Sequence, residues 1–163
     1  MKKTLALLLL FSIYCQGSAK AELFHDRFLN WSVFSTQMAG KEICYSISLP
    51  IKNEGNYNKR GQPYILITNI GGNIQEISVA SGYNYKENSE VELSFGLKKF
   101  SIFTYKNLAW SNSKSDDIEI LKAMRVYDDV IISATTKDNR YSKDTYSLLG
   151  FLKAYKKMLE LCP

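Results

Sequence analysis

The chain has 163 residues, 45% hydrophobic and 23% charged, with a formal net charge of +5. That length suits one ordinary domain able to bury a real core. One histidine and three cysteines leave too few ligands for a typical zinc site and argue against a Ser-His-Asp hydrolase.

The first segment has the pattern of a secretory signal. Lys2 and Lys3 open it, an apolar run of about 11 residues follows from Leu5 to Cys15, and Ala19-Lys20-Ala21 fits an A-x-A cleavage site. Spanning a bilayer takes roughly 20 apolar residues, so a membrane anchor is disfavoured. Lipidation at Cys15 is disfavoured by the bulky Tyr14 before it. The pattern predicts a signal peptide over 1–21 and one domain over 22–163, with no transmembrane segment in the mature chain. Cleavage removes Lys2, Lys3 and Lys20 and no acid, so the charge falls to +2 and the case for nucleic acid as a partner weakens.

Strand patterns dominate the rest, without repeats or low-complexity tracts. Trp31, Val33 and Ser35 alternate within 29–36. Ile43, Tyr45, Ile47 and Leu49 alternate with Cys44, Ser46 and Ser48, and Pro50 stops the run. Residues 51–63 are polar and read as a loop. Residues 64–70 and 74–80 read as a hairpin about the turn Gly71-Gly72-Asn73. A second polar loop covers 81–89. Val91, Leu93 and Phe95 alternate up to Gly96, then Phe100, Ile102 and Thr104 share a face, and 108–111 is a short further strand.

Asp116-x-x-Glu119 resembles a helix start, with Asp116 capping, Ile118 and Leu121 on one face, and Ile120 and Met124 nearby. Residues 130–136 form another strand. Leu148, Phe151, Leu152, Tyr155, Met158, Leu159 and Cys162 recur at helical spacing. The expected fold is mainly β: a β-sandwich or barrel-like sheet pair, with a short helix near 116–125 and a C-terminal helix near 148–161.

Cleavage leaves two cysteines, Cys44 and Cys162, in an oxidising compartment, which reads as one disulfide. A redox pair lacks its C-x-x-C spacing; free or intermolecular thiols stay open. Cys44 shares its strand face with the small Ser46 and Ser48, a face over which the last helix can pack closely, with the bridge pinning its end.

Catalytic patterns are thin. The single histidine, His25, lies near the new N-terminus, a position that is usually mobile. Asp116-Asp117, Asp128-Asp129 and Asp138 suit caps and turns more than an acid/base pair. Gly71-Gly72 is a turn and not a phosphate loop. Aromatic residues make up 13% of the chain. Tyr57, Arg60, Tyr83 and Tyr85 lie on polar loops and are the candidate binding surface, tyrosine offering apolar area with a hydrogen-bonding tip. Closing the edge of the core is the competing account. Lys52, Lys59, Arg60 and Lys86 form a basic patch only if the fold brings them together.

Six phrases in order carry a resemblance. They are Glu42-Ile43-Cys44-Tyr45-Ser46-Ile47-Ser48-Leu49-Pro50, Arg60-Gly61-Gln62-Pro63-Tyr64, Gly82-Tyr83-Asn84-Tyr85, Leu108-Ala109-Trp110, Lys122-Ala123-Met124-Arg125, and Asp144-Thr145-Tyr146-Ser147-Leu148-Leu149-Gly150-Phe151. Together, from Trp31 to Cys162, they resemble the invasion-associated locus B family of exported bacterial proteins. Two departures stand out. Leu29-Asn30 replaces a frequent Gly-Asp before the first tryptophan, and Tyr141-Ser142 follows Arg140 where Gly-Thr is common.

The resemblance implies a periplasmic or envelope-associated protein, with a host-invasion role attributed to some members and no catalytic residue to transfer. It implies Trp31 and Trp110 as core aromatics, Cys44 and Cys162 as the bridge, and Gly150 where strand gives way to helix. The combined expectation is an exported, non-enzymatic envelope protein, periplasmic, with outer-membrane association or secretion open. It acts by surface binding in host-cell invasion or envelope maintenance, with no cofactor and an unknown envelope or host-surface partner. The alternative is a carboxylate-dependent hydrolase of envelope glycans, marked by an aromatic-lined cleft with two carboxyls roughly 5–10 Å apart. A folding aid or inhibitor would instead show an exposed apolar patch or open sheet edge.

Overall fold

Alternating burial along the chain produces one continuous antiparallel sheet. The structure, a computed structural model, describes residues 22–71 and 75–163. Its elements are β1 (Leu23–Phe28), β2 (Trp31–Met38), β3 (Lys41–Ser48), β4 (Lys52–Gly55), β5 (Tyr64–Asn69), β6 (Gln75–Ala80), β7 (Glu90–Phe95), β8 (Lys98–Tyr105), β9 (Leu108–Trp110), α1 (Lys114–Met124), β10 (Asp129–Thr135), β11 (Tyr141–Ser147) and α2 (Phe151–Leu161). The strands lie in the order β1-β2-β3-β5-β6-β9-β8-β7-β10-β11-β4.

β4 follows β3 closely in sequence yet pairs with β11 at the far end of the sheet. The sheet therefore curls until its first and last strands approach. It does not close into a barrel, and β1 and β4 remain edges. The result is the sandwich-like, mainly β fold expected. The Trp31 indole N–H donates to the Ser147 carbonyl at 3.0 Å, tying β2 to β11 across the interior.

Period-two burial fills that interior. Val33 on β2, Ile65 and Ile67 on β5, Ile77 and Val79 on β6, Val91, Leu93 and Phe95 on β7, and Val130 and Ile132 on β10 are all buried. On β3 the buried face is Cys44, Ser46 and Ser48. The larger Tyr45 and Ile47 face outward and are half-exposed. α2 covers this small-residue face, packing on β1, β2 and β3. Its Phe151 ring meets Trp31 at 4.9 Å. Cys162 then bridges to Cys44 with Cα atoms 5.8 Å apart. The Asn69 side-chain amide donates to the Cys162 carbonyl and holds the helix end beside β5.

Several expectations need correction. β1 occupies the stretch expected to be mobile; it pairs with β2, and His25 Nε2 sits 2.8 Å from Ser35 Oγ. β4 lies inside the expected 51–63 loop, and β11 fills 141–147, where no alternation marked a strand. α1 begins at Lys114, because Ser113 is its N-cap: Ser113 Oγ accepts from the Asp116 N–H at 3.2 Å. Asp116 is thus inside the first turn, and Ile118 points outward while Ile120, Leu121 and Met124 are buried. α2 begins at Phe151, so Leu148 is buried ahead of the helix and Leu152 is exposed. Trp110 is half-buried on the outer face and not a core residue. The hairpin of β5 and β6 is present in register Asn69↔Gln75. Its turn beyond Gly71, and the whole of 1–21, lie outside the described residues. No helix among the described residues is long and apolar enough to cross a membrane.

Of the two departures from the phrases of the resemblance, the first falls in a turn and the second in a strand. Leu29 joins β1 to β2 at φ 54°, a left-handed position that glycine adopts without the Cβ clash. Tyr141 and Ser142 open β11, paired with Thr135 and Ala134. Gly150, at φ 93°, has no such freedom to change: a Cβ there would run into the Phe28 carbonyl.

The bridge joins residues 118 apart in sequence. In the chain-entropy model a loop of this size contributes about 4–5 kcal/mol, an upper figure. Cys44→Ser and Cys162→Ser are each expected to lower the unfolding free energy by about 2–5 kcal/mol while leaving the folded far-UV spectrum in place. Denaturant titration of oxidised, reduced and substituted protein checks this; coincident curves would contradict it.

Candidate functional site

The segment between β4 and β5 is polar apart from the half-buried Tyr57 and the buried Pro63, yet it is held in place. Arg60 reaches Asp144 on β11 with a two-pronged ion pair, Nη1–Oδ2 and Nη2–Oδ1 both 2.7 Å. The side chains are 7% and 1% exposed. Arg60 also donates to the Ser81 carbonyl at 3.2 Å and to Asn53 Oδ1 at 2.7 Å. Its guanidinium lies 4.1 Å from the centre of the Tyr57 ring. Burial works against the Arg60 charge, but Asp144 more than offsets this and holds its pKa above the usual value. Beside the pair, the Gly61 N–H donates to the Gly82 carbonyl at 2.7 Å. A Cβ on Gly82 would collide with Gly61, so the two strands of chain meet only because glycine stands there.

The four candidate residues are thus brought together. Tyr57 and Tyr83 rings lie 6.5 Å apart, and Tyr83 and Tyr85 5.6 Å apart. Tyr83 shares a 2.6 Å hydrogen bond with Ser142. Burial raises the Tyr83 pKa, and the Ser142 hydrogen bond opposes this. Tyr85 is only 4% exposed; its hydroxyl donates to the Val79 carbonyl and shares a hydrogen bond with the Ser81 hydroxyl. Tyr85 is therefore a core residue and does not present its ring. Arg60 is committed to Asp144, and Lys52 pairs with Glu54 at 3.0 Å, so the basic patch imagined for Lys52, Lys59, Arg60 and Lys86 loses its central member. Sequence reasoning missed Asp144. The available signal was that Arg60-Gly61, Gly82-Tyr83 and Asp144 each stand in a phrase that carries the resemblance, and all three meet at this latch.

A separate open cleft of about 490 Å³ lies on the outer face of β6, β9 and β8, beside the start of α1. Aromatic side chains line one wall: Trp110 and Phe103 stand opposite each other in register, with ring centres 5.7 Å apart and planes 29° from parallel. Tyr105 continues the wall and is 62% exposed. Glu76 and Asp117 line it from the other side. Burial raises the Glu76 pKa, the nearby Asp117 charge adds to this, and the Trp110 indole N–H facing the carboxylate opposes it. Burial likewise raises the Asp117 pKa, although the Ser111 hydroxyl and the Ile77 N–H work against this. Asp117 Oδ1 accepts from Ile77 N at 3.0 Å and so brackets α1 to β6. Asp128, Asp129 and Asp138 are not among the lining residues.

The outer face of β1, β2, β3 and β5 carries an apolar patch interrupted by Thr36 and Thr68. Phe24, Phe34 and Tyr45 form a row with ring centres 5.4 Å apart at each step, flanked by Ile47, Leu66 and Met38. Both the apolar patch and the open edges named as marks of a folding aid are therefore present.

Removing one partner of a buried ion pair leaves the other charge uncompensated and costs about 3–5 kcal/mol. Arg60→Met and Asp144→Asn are each expected to destabilise by that order and to expose 56–63 to trypsin at Lys59. The double variant Arg60→Met/Asp144→Leu should recover part of the loss, as read by denaturant titration; a loss below about 1 kcal/mol for both single variants would contradict the latch.

Asp117 and Glu76 bind protons more tightly folded than unfolded, so their contribution to stability is fully present below the ordinary carboxylate range and is lost as pH rises through the window just above about 4. Asp117→Asn keeps an acceptor for the Ile77 N–H and should flatten that fall. Unfolding measured across the window checks it, an unchanged slope being the contrary result.

No family model matches the chain, and no curated protein does. Among solved structures, the crystal structure of invasion associated protein b from Bartonella henselae aligns with a TM-score of 0.60 at 14% sequence identity. The alignment covers 85% of this chain and 96% of that one. At this identity the likeness is one of architecture: the chain has the fold of invasion associated protein b.

Proposed function

We propose that the chain is an exported, non-enzymatic envelope protein that acts by surface binding, in host-cell invasion or envelope maintenance. Residues 1–21 are a signal peptide that is removed, and 22–163 are the working domain in the periplasm. The observation that carries this reading is the fold held in common with invasion associated protein b over nearly the whole of that chain. A bridge between Cys44 and Cys162 supports an oxidising compartment, since such bonds are rare in the cytosol. Of the four loop residues, Tyr57 and Tyr83 keep half-exposed rings to offer a partner. Arg60 and Tyr85 serve by holding them in place.

The glycan-hydrolase alternative has one observation in its favour, the aromatic cleft with Glu76 and Asp117. Asp117 is 7% exposed and accepts from the Ile77 N–H, which gives it a structural task. A two-carboxylate hydrolysis needs both groups at the bond being cleaved. Binding is therefore the better-supported activity of that surface.

Expression of the whole chain with a C-terminal tag, followed by fractionation and mass mapping, tests the proposal. The expected product lies in the envelope or periplasmic fraction, begins at Glu22 and has both remaining cysteines oxidised. An intact N-terminus on a reduced cytosolic product would overturn it.

A further inference from the structure

Folding alone gives no reason for the outer wall of β8 and β9. Phe103 and Tyr105 point away from the core, 43% and 62% exposed, while Ile102, next to Phe103 on the same strand, is fully buried. The pairing register places Trp110 directly opposite Phe103, and Ser78 opposite Trp110 on its other side. The Phe103 and Trp110 rings, stacked on each other, form with Tyr105 an aromatic shelf along the cleft, and Phe103 and Tyr105 are its solvent-open part. Hydrogen-bonding groups stand around it: the Glu76 carboxylate, the Ser111 and Ser113 hydroxyls and the Asn112 amide. Asn112 Nδ2 is used, donating to the Ser101 carbonyl at 2.9 Å, and its Oδ1 has no partner among the described residues. The cleft volume of about 490 Å³ falls within the roughly 300–1,000 Å³ of small-molecule sites.

We propose that this cleft binds a neutral pyranose sugar, one ring stacked on the Trp110–Phe103 shelf and its hydroxyls held by Glu76 and Asn112. A pyranose has an apolar C–H face and a rim of hydroxyls. That is the complement of an aromatic surface bordered by acceptors, with amphipathic rings supplying rigid contact area. Charge selects against an acidic sugar: the lining carries two carboxylates, Glu76 and Asp117, against Lys114 alone. The site binds without cleaving, because Asp117 is occupied by the Ile77 N–H and one free carboxylate remains. The inference deepens the surface-binding reading by naming the class of ligand.

The chain has two tryptophans, Trp31 and Trp110, and Trp31 is fully buried. Intrinsic fluorescence therefore reports on the cleft through Trp110. The protein, purified in the form the cell produces, is titrated with a β-1,4-linked N-acetylglucosamine tetramer, with a β-1,4-linked glucose tetramer, and with polygalacturonate as an acidic control. A saturable change with a neutral oligosaccharide and none with polygalacturonate is expected. Tyr105→Ala and Phe103→Ala, both at exposed positions, should weaken binding by roughly tenfold or more, as should Glu76→Gln. Thermal unfolding of each variant is measured alongside, and Tyr105→Ala is the variant that reads the shelf if Phe103→Ala melts early.

No saturable change with either neutral oligosaccharide, or affinity unaltered in Tyr105→Ala and Glu76→Gln, overturns the proposal. Tighter binding of polygalacturonate, or cleavage of either tetramer, overturns it as well. A negative titration on protein that starts at Glu22 removes the sugar and leaves export and surface binding standing. A product retained in the cytosol with its leader removes the export reading whatever the titration gives.

Discussion

The buried pair of Arg60 and Asp144 is the constraint around which this molecule is arranged. Asp144 faces inward from β11, between Ser142 and Tyr146, at a place where the alternation of the strand demands a buried side chain. A carboxylate there is costly to desolvate unless a cation reaches it with its remaining bonding sites filled. Arg60 meets that requirement, with its other donors satisfied by Ser81 and Asn53 and its face against Tyr57. The planar fork suits arginine and not lysine. Such a pair adds little net stability over apolar packing, but it strongly disfavours any arrangement in which one partner is missing. Its value lies in fixing where the crossing segment runs. That segment leaves the last strand of the sheet at β4 and must return to its middle at β5, so its path sets how far the sheet curls.

A second tie closes the curl on the opposite side. Small side chains on β3 let α2 approach the sheet, and Trp31 fills the space between α2 and β11. The bridge then connects β3 to the end of α2. If Gly150 were displaced from its contact with Phe28, α2 would leave β3 at a different angle and Cys162 would miss Cys44. Phrases far apart in the sequence thus meet as two sets: those of Arg60-Gly61, Gly82-Tyr83 and Asp144 form the latch, and those of Cys44 and Gly150 form the clasp.

What could be read from the sequence follows from where the burial lies. β2, β3, β5 and β7 have one buried and one wet face, and their alternation is plain. β1 is exposed or half-buried at every position, so it carries no such pattern. β4 is four residues of Lys, Asn, Glu and Gly at the sheet edge, and its strand character comes from pairing with β11. β11 buries Ser142 and Asp144, polar residues that look like surface until Arg60 is placed beside them. The same ambiguity governs the tyrosines. Loop position and ring chemistry do not separate Tyr57, which keeps a half-exposed face, from Tyr85, whose hydroxyl is satisfied inside the core by Ser81.

The cleft shows how one helix start serves two ends. Ser113 caps α1, and Asp117 a turn later binds the β6 backbone, so α1 is fixed against the outer face of the sheet. That placement buries Ser78 and covers one side of β6. It stops short of β8, where Phe103 and Tyr105 remain uncovered. The Ser113 cap fixes the start of α1 beside the cleft. The aromatic shelf is thus a product of where α1 begins. Asp117 accepts a raised affinity for its proton in exchange for holding the wall upright, which leaves Glu76 as the carboxylate that meets whatever enters.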